Sequence, residues 1–139
     1  MNCKCCSSVE GGSANDLQEV DVKIISPKLC KQPDWYGSLF LEKVMICAGY
    51  EQGGKGTCYG DSGGPLQCFS GGRWTLVGLT SWGGRCAAPK QPAIYTNVAS
   101  VFDWIKSHIP GIAVAVIANS TLYNSYTMKL WYRNNSGQH

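Results

Sequence analysis

Gly60-Asp61-Ser62-Gly63-Gly64-Pro65-Leu66 decides how this chain is read. A serine stands in a glycine-rich turn. A hydroxyl is a weak nucleophile and needs a base to take its proton. The carbonyl it attacks needs donors for the negative oxygen that forms. Gly60 has no Cβ, so its N–H can turn toward that oxygen at no steric cost. The N–H of Ser62 converges from the same turn, and two such backbone donors make an oxyanion hole. The stretch reads as a nucleophile turn for acyl transfer, with Ser62 as the attacking group, rather than as a serine in an ordinary tight turn.

Working outward, Leu17 to Ile25 alternates polar and apolar residues, the pattern of a half-buried strand. Ser26-Pro27-Lys28-Leu29-Cys30 reads as a short helix with proline in its first turn. Val44-Met45-Ile46-Cys47-Ala48-Gly49, Trp74 to Gly83, and Ala93-Ile94-Tyr95-Thr96-Asn97-Val98 follow as strand-like runs. Val98, Val101, Phe102, Ile105 and Ile109 then recur at helical spacing.

Taken in order, these stretches resemble the chymotrypsin-like serine proteases over roughly Gly11 to Ile109. Leu17 to Ile24 is similar to the family strand Leu-Gln-x-Val-x-Val-x-Ile, and Met45 to Gly49 to Met-Ile-Cys-Ala-Gly. The run ending Ser81-Trp82-Gly83 resembles the family strand with the same ending. Ala93 to Val98 is similar to Gly-Val-Tyr-Thr-Lys-Val. The resemblance implies an all-β fold of two antiparallel barrels with the catalytic site between them. This chain would supply the second, C-terminal barrel and its closing helix, with the first barrel missing. The expected division is a Cys-rich N-terminus over 1–10, a partial peptidase domain over 11–109, and a possibly disordered tail over 110–139. A barrel without its partner is expected to expose apolar surface.

Such a protease needs a histidine base and an aspartate that orients it. The family carries both upstream of the serine, in Ala-Ala-His-Cys and Asp-Ile-Ala-Leu-like segments. Here the two histidines, His108 and His139, both follow Ser62. The chain thus reads as the nucleophile-bearing half of a serine endopeptidase, expected not to hydrolyse peptides by itself. The alternative is a non-catalytic binding or decoy module, or a nonfunctional truncated fragment. His108 falls on the closing helix, where an ordinary surface histidine is the expected reading.

The resemblance also places a substrate pocket. Its floor is Gly56, followed by Thr57, where trypsin-like members carry an aspartate that pairs with Lys or Arg. Tyr59, Ser81, Trp82, Gly83 and Ala93 complete the expected lining. The methyl of Ala93 intrudes where glycine is common. An uncharged, somewhat shallow pocket suits small or medium apolar side chains. Ser81, Trp82 and Gly83 would pair through backbone with an extended peptide. Trp82 is expected to wall the cleft, and Trp35, Trp74 and Trp104 to serve in packing. In the family the aspartate before the serine pairs with an α-ammonium made by activation cleavage. No Ile-Val-Gly-Gly start occurs here. Because a buried, unpaired carboxylate is costly, Asp61 is expected to turn outward or find another donor, leaving a zymogen-like site.

Eight cysteines in 139 residues point to a disulfide framework. The resemblance pairs Cys30 with Cys47 and Cys58 with Cys86, each closing a loop worth roughly 3 kcal/mol in the chain-entropy model. It gives Cys68 a partner on the strand that opens the barrel. That strand is replaced here by Met1 to Cys6, where Cys3, Cys5 or Cys6 could substitute although their surroundings do not match the family. The partner of Cys68 thus stays open, and at least two thiols have no assigned partner. The Cys3–Cys6 spacing does not match paired zinc ligands, and no metal or cofactor is expected. Disulfides imply a secreted, extracellular protein, yet the N-terminus lacks the apolar run of a signal peptide. Met1 is therefore expected to be an internal or mispredicted start, or that of a truncated isoform. A net charge of +3, not clustered, gives no case for nucleic acid or membrane. The expected partners are a peptide or protein substrate and the missing N-terminal half. Beyond Ile109, Ile112 to Ala118 is too short an apolar run to span a bilayer. Asn119-Ser120-Thr121 and Asn134-Asn135-Ser136 are glycosylation sequons. Alternation from Leu122 to Trp131 leaves a weak hairpin and disorder both open.

Overall fold

The computed structural model describes residues 18–70, 73–109 and 127–132. Among the described residues, six strands, two short helices and two 3₁₀ turns follow in chain order. Strand β1 spans Gln18–Ile24, helix α1 Pro27–Cys30, and strand β2 Met45–Gly49. Strands β3 (Pro65–Ser70), β4 (Arg73–Trp82) and β5 (Ala93–Asn97) come next, then helix α2 (Phe102–His108) and strand β6 (Thr127–Tyr132). The 3₁₀ turns cover Gly37–Leu39 and Val98–Val101. The strands close into one barrel in the order β1-β2-β5-β4-β3-β6, and every neighbouring pair is antiparallel. Each run expected to be a strand is one, within a residue at either end.

Alternation decides which side chains fill the barrel. Val20 and Val22 of β1, Ile46 and Ala48 of β2, Leu66 and Cys68 of β3, Val77 of β4 and Tyr95 of β5 form a buried cluster inside it. Gly78 lets two layers meet there: a Cβ at that position would stand 3.0 Å from Tyr95 Cβ and 3.2 Å from Leu66 Cδ2. A second cluster lies under α1, built from Ile25, Cys30, Tyr36, Phe40, Cys47 and Ile94. The Cys30–Cys47 disulfide ties α1 to β2 within it. Ser26 caps α1 by accepting the N–H of Leu29, and proline at the first turn gives up an N–H that had no partner there.

Three findings depart from the sequence reading. First, the alternation in the tail becomes β6, which pairs with β1 and β3 instead of forming a hairpin. Second, the closing helix begins as a 3₁₀ turn, and none of its α-helical residues is fully buried. Third, the tryptophans divide. Trp35 and Trp82 pack on the second cluster. Trp74 and Trp104 are 46% and 65% exposed, and Trp74 shields itself mainly against the Phe69 ring at 5.1 Å. Leu39, Leu41 and Leu76 are exposed as well, so apolar surface faces outward around the barrel.

Candidate active site

The glycine-rich turn is held by backbone bonds on both sides of Ser62. The N–H of Asp61 donates to Cys58 O, and that of Gly64 to Asp61 O. Gly63 N–H donates to Thr80 O at 2.9 Å, and Thr80 N–H returns a bond to Gly64 O at 2.9 Å. Thr80 Oγ1 adds a third bond to Gly64 O. This stitches the turn to β4. Gly60 and Gly63 take φ of 93° and 79°, a region that disfavours any Cβ, which is why glycines flank the serine. Among the described residues, the N–H groups of Gly60 and Ser62 have no acceptor within the chain. Ser62 itself is exposed.

Asp61 does not turn outward. It is 5% exposed, and its Oδ2 accepts the N–H of Cys58 at 2.7 Å. Burial pushes its carboxyl above the ordinary carboxylate range, and the Cys58 bond only partly offsets this. The ion pairs among the described residues are Lys31–Glu42 and Lys90–Asp34, so no described cation faces Asp61. His108 sits exposed on α2, where its Nδ1 lies 2.8 Å from Trp104 O and 3.0 Å from Ser107 Oγ. No hydrogen bond joins it to Ser62 among the described residues.

Beside Ser62 opens a cavity of about 270 Å³. Of the expected lining, Thr57, Tyr59, Ser81, Trp82, Gly83 and Ala93 border it together with Ser62. Gly56 is buried and does not border it, although a Cβ there would meet nothing within 4 Å. A register shift between Thr80 and Trp82 re-aims β4 at its end, beside the cavity.

Sequence reasoning missed the far wall. Gly84, Arg85, Cys86, Ala87 and Gln91 line it. The Cys58–Cys86 disulfide draws this loop against the turn preceding the serine. Gly54 N–H donates to Ala87 O at 2.7 Å, and Lys90 N–H to Glu51 O at 2.9 Å. Arg85 N–H donates to Gln91 Oε1 at 2.6 Å. Once Cys58 and Cys86 are paired, proximity along the chain places Arg85 and Ala87 at the pocket, so the signal was present. Tyr36 was also missed. Its hydroxyl donates to Pro92 O at 2.6 Å and accepts from Gly84 N–H at 3.1 Å. Its ring meets Trp82 edge-on with centroids 5.0 Å apart. Nothing in the pattern around Tyr36 announces contacts so far along the chain.

The trypsin family model matches residues 6–105. The chain belongs to the trypsin family. The match spans the nucleophile turn, the pocket and all the strands from β1 to β5. Trypsin-family membership accounts for the two disulfides in place, Cys30–Cys47 and Cys58–Cys86, and for peptide or protein as the substrate class. Cys68 is a buried thiol on β3 without a disulfide partner among the described residues, its pKa pushed up to about 11 by burial. Cys3, Cys5, Cys6, His139 and both sequons lie outside the described residues.

Proposed function

We propose that this chain is the nucleophile-bearing half of a secreted serine endopeptidase. Ser62 is its nucleophile, and the Gly60 and Ser62 N–H groups are its oxyanion donors. The observation that carries this reading is the juxtaposition of an exposed serine, two N–H groups without acceptors among the described residues, and a cavity bordered by Ser81, Trp82 and Gly83. A peptide laid along that strand end would bring its carbonyl over the turn. The histidine and aspartate come from polypeptide other than this chain, so the chain alone binds peptides without hydrolysing them. Buried Asp61, lacking a described cation, supports a zymogen-like state for the isolated chain. Disulfides on a trypsin-family domain support an extracellular setting.

The pocket selects small and medium apolar side chains. Its lining carries no carboxylate, and Arg85 adds a positive charge that repels Lys and Arg. Calorimetric titration with extended peptides that differ at one residue tests this. Peptides bearing Ala or Val there should bind at least about tenfold tighter than those bearing Arg, a difference of about 1.4 kcal/mol. Equal binding, or a preference for Arg, would contradict the pocket assignment. The coding sequence upstream of Met1 tests the division into halves: in-frame Ile-Val-Gly-Gly and Ala-Ala-His-Cys segments are expected. A stop codon there would favour the non-catalytic alternative.

A further inference from the structure

Strand β6 is the last of the described strands in chain order, yet it lies between β1 and β3. β1 and β2 are in register only at Lys23–Gly49 and Ile24–Ala48. With β6, by contrast, β1 is in register along its length, from Gln18–Tyr132 to Lys23–Thr127. On its other side β6 pairs with β3 at Leu66–Leu130, Gln67–Lys129 and Cys68–Met128. Val20, Leu130 and Leu66 therefore form one cross-strand row, and Val22, Met128 and Cys68 another. Val20, Val22, Leu66 and Cys68 all belong to the barrel's buried cluster. Without β6, the edges of β1 and β3 that it pairs would present rows of unpaired N–H and C=O groups.

We propose that the gap between β1 and β3 is a strand-accepting site, filled within the chain by Thr127–Tyr132 and able to take the same segment as a separate extended peptide. Two features support this. The occupant is held through backbone ladders on both edges, a mode of recognition that any extended chain of matching register can satisfy. The occupant also lies outside the matched family region, which ends at residue 105, and the described matched strands β1 to β5 do not themselves join β1 to β3. Met128 and Leu130 stand in register with Cys68 and Leu66 of the buried cluster, and Lys129 falls between them. The preferred ligand is accordingly a peptide with apolar residues at alternate positions. Tethering gives the internal strand a high effective concentration, so an added peptide competes only when the internal strand is weakened.

Cys68 reports on the site. It is buried, unpaired among the described residues, and in register with Met128. The test uses the full chain with Leu130→Pro, which removes a ladder N–H from a strand paired on both sides. Alkylation at Cys68 is followed by mass spectrometry of the peptide that contains it. The rate should rise at least about tenfold in Leu130→Pro. It should return toward the wild-type rate when a Ser125–Arg133 peptide is added, but not when the same peptide carries the proline. Hydrogen exchange guards against global unfolding: protection should fall at residues 18–23 and 66–68 and persist in β5. If the proline variant loses protection throughout, Lys129→Gly replaces it and the same pattern is required. Unchanged Cys68 reactivity in the variant would overturn the proposal. So would opening that the wild-type peptide reverses no better than the proline peptide.

Discussion

The two sides of this barrel are built in different ways. On the serine side, the nucleophile turn, the end of β4 and the 84–91 loop are joined by short turns, the Thr80 bonds and the Cys58–Cys86 disulfide. Every member of that site lies within a few dozen residues of Ser62. On the opposite side, among the described residues, β1 and β3 are joined through β6, drawn from more than a hundred residues along the chain from β1. The serine side is built from nearby stretches of chain and pinned by a disulfide. The far side is a non-local construction held by backbone ladders and apolar burial. Geometry for chemistry is kept where closure costs least chain entropy, and the barrel's integrity rests on the long-range side.

Substitutions can separate the two. The largest effect belongs to the seam. Leu66 is fully buried where β3 meets Gly78 and Tyr95. Leu66→Ala should cost about 2–5 kcal/mol in urea unfolding, while leaving the Cys58–Cys86 disulfide formed. Removing that disulfide with Cys58→Ala and Cys86→Ala is the matching cut on the serine side. It should cost about 2–4 kcal/mol, and peptide affinity should fall with it because the far wall is released. A pair of losses in which the seam variant damages peptide binding more than the disulfide variant would break the comparison.

Tyr36→Phe sharpens it further. The variant strands Pro92 O and Gly84 N–H, for a cost of about 1–3 kcal/mol, and it frees the wall that the hydroxyl joins. Calorimetry should show weakened peptide binding together with the lower melting temperature. A stability loss with unchanged affinity would remove Tyr36 from the site.

The smallest effect, and the only gain, concerns Asp61. Its carboxyl holds a proton to higher pH when folded than when unfolded, because burial disfavours the charge. This group therefore favours the fold most at acid pH, below the unfolded value near 4. It takes stability away as pH rises through the folded value. Asp61→Asn keeps an acceptor for Cys58 N–H and sheds the buried charge. Thermal melts should show it more stable than wild type at pH 7, with the difference fading toward pH 4. A variant less stable at pH 7 would mean that Asp61 has a cationic partner.

The same division explains what was legible in the sequence. Strands β1, β2, β4 and β5 could be read from short local patterns, while both disulfides and the expected pocket residues came with the family resemblance. Strand β3, which follows the glycine-rich turn, was not read as a strand. Leu122 to Trp131 showed alternation but not its partners, because pairing with β1 across more than a hundred residues leaves no local mark. Tyr36 was hidden for the same reason, its contacts reaching Gly84 and Pro92. Helical spacing from Val98 to Ile109 announced a buried face. The described part of α2 buries none of its residues completely, since periodicity marks a face but not what covers it.

The most direct test of the central claim is fluorophosphonate labelling of Ser62 in the purified, folded chain, with Ser62→Ala and His108→Ala as controls. Such probes react with an activated serine far faster than with an ordinary hydroxyl. The account predicts that the chain alone labels no faster than Ser62→Ala, because no described base reaches Ser62. Labelling that disappears in Ser62→Ala would contradict it, and further loss in His108→Ala would identify the base within this chain.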